Sequence, residues 1–278
     1  MALFDDEKFI GHYLARLIPI IFALSITFYA NSNKHILFSM IIFVLADVLI
    51  FLSGERTSFF ILTIFTFLML CLLSKWKLIR FLTIIISFII ILIIATTNNS
   101  VKHRMVIQTT TQTNSSVTFS PEHDLLYESA YNIFLENKLF GVGPKIFRLI
   151  CADEKFAKDT FGYRKIMKDW DETNSCNSHP HNIYIQLLAE TGLFGTIPVI
   201  VFFMFLTVLI FLQLFNILAK KNYIMSDYVV CLTVSIFVQL WPIMPHLSFF
   251  NNRVNVFLFL TLGLLMAHKY INKIQKVD

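Results

Sequence analysis

Long runs of Ile, Leu, Val and Phe alternate along this chain with short polar breaks, covering about 14–30, 36–52, 57–74, 78–96, 193–217, 224–245 and 254–268. A helix needs roughly 17–25 apolar residues to cross a bilayer, so the pattern predicts seven spans, the last of them short. The one long polar stretch is 97–192. It opens on a Thr/Ser/Asn-rich segment, Thr109 to Ser120, and continues as "EHDLLYESAYNIFLENKLFGVG". There Leu126, Ala130, Ile133 and Phe134 recur at helical spacing until Gly141 and Gly143 stop the pattern. The expected fold is all-α: a polytopic transmembrane helix bundle with one large loop containing short amphipathic helices. Four spans fall in 14–96, the loop in 97–192, three spans in 193–268 and a tail in 269–278.

Composition agrees with that pattern. Of 278 residues 56% are hydrophobic and only 15% charged, against about 25% charged in a soluble domain. The net charge of +5 is scattered in short clusters between apolar runs, which suits membrane anchors and excludes nucleic acid as a partner. Three clusters set the orientation: Lys75, Lys77 and Arg80; Lys220 and Lys221; and Lys269, Lys273 and Lys276. The positive-inside rule puts all three in the cytoplasm, so 97–192 lies on the outer face. The N-terminus carries Asp5, Asp6 and Glu7 and lacks the features of a cleavable signal. An odd number of spans with an outside start therefore suggests the C-terminal part of a longer membrane protein. Cys71 and Cys231 sit in apolar runs as packing residues. Cys151 and Cys176 share the loop, where a disulfide and two free thiols are both open.

Several polar groups interrupt the hydrocarbon. In "FLSGERTSFF", Glu55 and Arg56 either cap two helices at the interface or serve a site on the outer face. Lys102, His103 and Arg104 form a basic cluster where the fourth span leaves the membrane. An outer position is the disfavoured side for anchoring, and guanidinium forks match the oxygens of phosphate, so anion binding gains weight. In "NSHPHNIYIQLLAETGLFG", Pro180 suits a first helical turn and Gly192 a position just past the end, predicting a helix from Pro180 to Thr191. His181 then sits at the positive end of the helix dipole, which favours the neutral imidazole, a competent proton acceptor. A zinc site with His179 is disfavoured by the i, i+2 spacing across a proline and the absence of a third ligand nearby in sequence. "GVGP" reads as a turn rather than a phosphate cradle.

At these residues a family resemblance emerges. "HPHNIYIQLLAETGLFGT" resembles the signature that ends the large periplasmic loop of bacterial O-antigen ligases and O-antigen polymerases, here His181, Asn182, Gly192 and Thr196. "SGERTSF" is similar to that family's Ser/Arg span start, matching Arg56. "ESAYNIFLENKLFGVGPKIF" resembles its loop helix and the turn that follows, matching Gly141 and Gly143. The likeness covers nearly the whole chain as the C-terminal portion of a typical member. One departure is His123, where many members carry arginine.

The resemblance implies an inner-membrane glycosyltransferase, multi-pass, with its active site facing the periplasm. It would move a glycan from an undecaprenyl-diphosphate carrier to an acceptor hydroxyl, on lipid A core for a ligase or on a second lipid-linked repeat for a polymerase. Cofactors and metal are not expected, since no Asp-x-Asp or clustered acids stand where a cation would be held. His181, Arg56 and Arg104 are the expected catalytic residues; Lys102, His179 and Asn182 would bind substrate. The competing reading is a transporter or flippase of a lipid-linked or anionic solute, for which Asp47 is the main in-span polar residue.

Overall fold

The computed structural model describes residues 10–28, 33–114, 116–163 and 176–274, which form two compact units. The N-terminal acids and Lys276 lie outside the described residues, as do the side chains of Lys269 and Lys273. Among the described residues the first unit comprises 10–28, 33–107, 204–240 and 256–274, the second 108–114, 116–163, 176–203 and 241–255.

The helices are α1 (Ile10–Phe28), α2 (Asn33–Leu52), α3 (Arg56–Leu72), α4 (Lys77–Thr97), α5 (Asn99–Lys102), α6 (Gln108–Asn114), α7 (Pro121–Glu136), α8 (Phe147–Ile150), α9 (Ile183–Leu218), α10 (Asp227–Gln239) and α11 (Asn252–Ile274). A π-helical turn, His103–Ile107, joins α5 to α6. Helices α4 and α9 are long and apolar enough to cross a membrane, and α1, α2, α3, α10 and α11 hold shorter apolar stretches.

In the first unit α1 packs on α2, α3 and α10, and α2 on α4. Phe22 lies at its centre, edge-on to Phe43 with ring centroids 4.5 Å apart. Helix α4 is inside-out relative to a soluble helix. Its buried residues are Arg80, Thr83 and Ser87, whereas Phe81, Ile85, Phe88, Ile89 and Leu92 face outward. Such a surface is stable only against hydrocarbon, which water-facing helices never meet.

Arg80 corrects one reading of the sequence. It is not an interfacial anchor beside Lys75 and Lys77 but is buried, donating to Asp47 through both terminal nitrogens at 2.8 and 2.9 Å and to Thr66 at 2.6 Å. Ser87 adds a hydrogen bond to Asp47 at 2.8 Å. An unpaired carboxylate at this depth would be costly, so the pair explains how Asp47 is tolerated in α2.

The apolar run 224–245 also breaks differently from its hydropathy. Ser226 caps α10, which stops at Gln239, and 240–251 leaves the helix because Pro242 and Pro245 lack N–H donors and clash with a continuing turn. At the start of α10, Asp227 accepts hydrogen bonds from the Ser74 N–H and hydroxyl and from the Lys75 N–H, fixing the turn between α3 and α4.

The second unit is built around α7. Ser120 is its N-cap, Pro121 occupies the first turn, and Glu122 and Asp124 complement the helix dipole. Leu126, Ala130 and Ile133 pack with Phe147, Cys151, Phe156 and Ala189. A disulfide joins Cys151 to Cys176, resolving the alternative the sequence left open.

Candidate functional site

The His-Pro-His-Asn segment does not begin a helix at Pro180 as its spacing predicts. Asn182 is the cap: its side-chain oxygen accepts from the N–H groups of Tyr184 and Ile185 at 3.0 and 3.2 Å, and α9 starts at Ile183. A side chain that satisfies two orphan donors outcompetes the proline preference. His181 therefore precedes the helix, with a left-handed φ of 56°. That bend turns its carbonyl onto the His246 N–H at 2.6 Å.

Three imidazoles gather here. The rings of His179 and His181 are 4.2 Å apart, and those of His181 and His123 5.5 Å. Their neighbours fix the protons. The His246 carbonyl can only accept, so His179 donates to it from Nε2 at 3.2 Å and takes the Ser178 hydroxyl on Nδ1 at 2.9 Å. The Ser120 hydroxyl gives its one proton to Glu122, so His123 carries its own on Nδ1, 2.7 Å from the serine oxygen. The Asn177 amide donates to His181 Nε2 at 3.4 Å, leaving that nitrogen as an acceptor.

Burial is the first cause that keeps His181 neutral, lowering its pKa to about 4, with proximity to His123 the second. His179 falls to about 3, again chiefly through burial, then through His181, against a raising hydrogen bond to the His246 carbonyl. The helix dipole invoked from sequence is thus not the main cause; exclusion of water is.

The remaining signature residues hold the frame. The side chain of Asn182 donates to the Pro242 carbonyl at 2.8 Å. Gln186 donates to Glu190 at 2.9 Å and to Ser248 at 2.8 Å while accepting from the Phe249 N–H. Buried Glu190 accepts from the Phe147 N–H at 3.0 Å.

Gly192, with φ 62° and ψ −162°, breaks α9, and the turn at Gly141 fits into the break. The N–H groups of Val142 and Gly143 donate to the carbonyls of Ala189 and Glu190 at 3.1 and 2.9 Å. Those of Leu193 and Phe194 donate to Lys138 and Leu139 at 2.8 and 3.1 Å. The turn's N–H groups are thereby spent on the helix rather than on a phosphate.

The basic candidates lie in the first unit. Arg56 is the first residue of α3, where the helix dipole already favours an anion. Arg104 is exposed and donates from Nε to the Gly54 carbonyl at 2.8 Å; Lys102 is exposed on α5. Glu55 is not a simple cap. It is buried, accepts from the Gly11 N–H at 2.8 Å and from Ser58 at 3.0 Å, and lies 3.4 Å from His12.

Sequence reasoning missed Arg16, a buried guanidinium on α1 that donates to the His12 carbonyl. It also missed the supporting roles of Ser120, Gln186 and His246. An arginine inside an apolar run was the available signal for Arg16; nothing local marked the others, whose partners lie far along the chain.

A family model described as O-antigen ligase matches residues 37–200, more than half of the 278 residues. No curated protein and no solved structure matches. The matched region contains Arg56, Arg104, the α7 helix, both interlocked glycines and the His-Pro-His-Asn segment, and the chain belongs to the O-antigen ligase family of membrane proteins.

Proposed function

We propose that the protein transfers a glycan from an undecaprenyl-diphosphate carrier to an acceptor hydroxyl at the periplasmic face of the inner membrane. Membership of the family carries an O-antigen ligase or polymerase type of function in polysaccharide synthesis. The observation that supports the chemistry best is His181: a neutral imidazole, largely withdrawn from water, with Nε2 as its acceptor nitrogen. In the proposed step the acceptor hydroxyl replaces the Asn177 amide at Nε2, which takes the hydroxyl proton as its oxygen bonds to the anomeric carbon. The bond from that carbon to the diphosphate breaks, and the electron pair leaves with the lipid carrier, giving inversion.

Arg56 and Arg104 are assigned to the charge that grows on the departing diphosphate, a role for which fixed guanidinium donors suffice without a cation or cofactor. Lys102 is assigned to the same anion; His179 and Asn182, expected from sequence on the substrate, are instead assigned to the frame that holds His181, since their side chains are spent on Ser178, His246, Pro242 and the first amides of α9. The Cys151–Cys176 disulfide supports an oxidising, extracytoplasmic setting for the loop. A transporter reading loses its main support because Asp47 is committed to Arg80 and Ser87.

The test is transfer from a lipid-linked donor by purified protein. His181→Ala should abolish it while expression and melting temperature hold, and normal turnover by that variant would remove the proposed base. A gene deletion separates the acceptors: long chains stranded on the carrier indicate a ligase, single repeats a polymerase.

A further inference from the structure

The interlocked turn carries a surface that the chemistry above does not use. At its tip Leu139, Phe140 and Phe194 are exposed to 64%, 71% and 76%, and the rings of Phe140 and Phe194 lie 5.8 Å apart. Contiguous apolar surface of this kind marks an interaction site rather than a water-facing turn. The surface continues on both sides. Tyr131 and Leu135 are exposed four residues apart on one face of α7, just before the tip, and Ile197 and Val201 follow Phe194 outward on α9 at three- and four-residue spacing.

Three observations say what covers it. The first is continuity: α9 is long and apolar enough to cross a membrane, and Phe194 opens the outward surface that Ile197 and Val201 extend, so lipid lies against the helix that holds Phe140 in place. The second is charge. Lys138, Lys145 and Arg148 are exposed on either side of the tip in sequence, with Arg148 donating from Nε to the Lys145 carbonyl at 3.1 Å, while the acid nearest the tip, Glu136, is paired with Lys155. A basic fringe around an apolar tip complements anionic headgroups above hydrocarbon. The third is the backbone. The N–H groups of Gly141, Val142, Gly143, Leu193 and Phe194 are all paired within the unit, so bringing the turn to the edge of the hydrocarbon strands none of them.

We propose that the interlocked turn is a membrane contact of the loop unit, with Leu139, Phe140 and Phe194 at the headgroup–acyl boundary of an anionic phospholipid layer and Lys138, Lys145 and Arg148 on its phosphates. The side chains enter the boundary while the non-helical backbone stays at headgroup level, where water and protein still satisfy it. The Gly141–Gly192 interlock fixes the register of the two aromatic rings, so the contact is rigid rather than a loose apolar loop.

The experiment uses the full chain in nanodiscs of phosphatidylcholine and phosphatidylglycerol. Phe140→Cys, with Cys71→Ala and Cys231→Ala, carries a nitroxide whose collisions with oxygen and with a neutral nickel chelate are read by EPR. Oxygen, which concentrates in hydrocarbon, should dominate as it does for a label at Val201→Cys and as it does not at Asp153→Cys. Nickel-chelate access at the Asp153 level would put the tip in water and overturn the proposal. Access to neither reagent would mean that protein covers the tip, a second copy or another chain, and would also overturn it.

Unsubstituted protein gives an independent reading. In discs containing a lipid with a diazirine in its acyl chain, photo-adducts should form at 139–140 with a yield within about threefold of that at 197–201; adducts at 197–201 alone overturn the proposal. Omitting phosphatidylglycerol should raise nickel-chelate collisions at Phe140 at least twofold, and Lys138→Gln, Lys145→Gln and Arg148→Gln together should do the same in the anionic disc. Equal access in all three samples would overturn the role of the basic fringe. None of these readouts involves glycan transfer, so their outcome is separate from that of the His181 chemistry.

Discussion

Replacing Gly192 with alanine tests the interlocked turn most directly. The native φ of 62° with ψ near −162° lies in a region that essentially only glycine occupies, so a Cβ there costs about 1–3 kcal/mol in backbone strain alone. The added carbon would stand 2.4 Å from the carbonyl carbon and oxygen of Leu139, whereas ordinary contact begins at 3.4 Å, so the backbone of 138–140 must retreat by 3.4 − 2.4 = 1.0 Å. That retreat breaks the hydrogen bonds from Leu193 and Phe194 to Lys138 and Leu139, about 1 kcal/mol each. The sum is about 4 kcal/mol, which at 1.4 kcal/mol per decade is roughly a thousandfold faster amide exchange at Leu193 and Phe194.

Hydrogen exchange followed by mass spectrometry on peptides covering 190–196 measures it. Gly263→Ala serves as the control, because nothing lies within 4 Å of a Cβ built there and a helical alanine is intrinsically favoured over glycine. Exchange at Leu193 and Phe194 within tenfold of wild type in Gly192→Ala would refute the reasoning.

Three further outcomes are expected. Arg80→Met should destabilise the first unit by about 3–5 kcal/mol by leaving Asp47 buried without its cation, and the double variant with Asp47→Leu should recover most of that in detergent unfolding. Reducing the Cys151–Cys176 disulfide, which closes a separation of 25 residues, should cost about 3 kcal/mol in the loop unit, read as a lower melting temperature with reductant present. Because the pKa values of His179 and His181 are lower in the folded chain than their ordinary 6.5, the unfolded chain binds more protons in the window below 6.5. Stability is then full above pH 6.5 and falls as pH drops towards about 4, by about 3 kcal/mol for His181; in the same series the acid limb of transfer should lie near pH 4 rather than 6.5.

The helices that hydropathy alone finds well, α2 to α4, are those whose apolar runs end at residues unable to stay in hydrocarbon. Periodicity likewise located α7, because a helix half-buried on a small core must repeat its apolar side chains every three or four residues. Where a neighbour distant in sequence decides the outcome, local signals failed. Arg80 reads as an anchor until Asp47, 33 residues earlier, is known to face it. Pro180 reads as a helix start until the side chain of Asn182 takes the first amides. His123 could be noted only as a departure from pattern, since its proximity to His181 arises from packing α7 beside α9. The pairing of Cys151 with Cys176 was undecided for the same reason.

The hydrogen bonds around His181 bear on how far its motif can be transplanted. The His123 ring, the carbonyl that fixes the tautomer of His179 and the amide that holds the His181 bend come from residues some 55 to 70 positions away in either direction. A graft of 177–196 onto another helical scaffold would thus carry the Asn177 and Ser178 hydrogen bonds but not the His246 and His123 neighbours that complete the arrangement. To carry the chemistry elsewhere, an engineer would have to move three segments together: the start of α7, the histidine stretch and the proline-rich strap at 241–250.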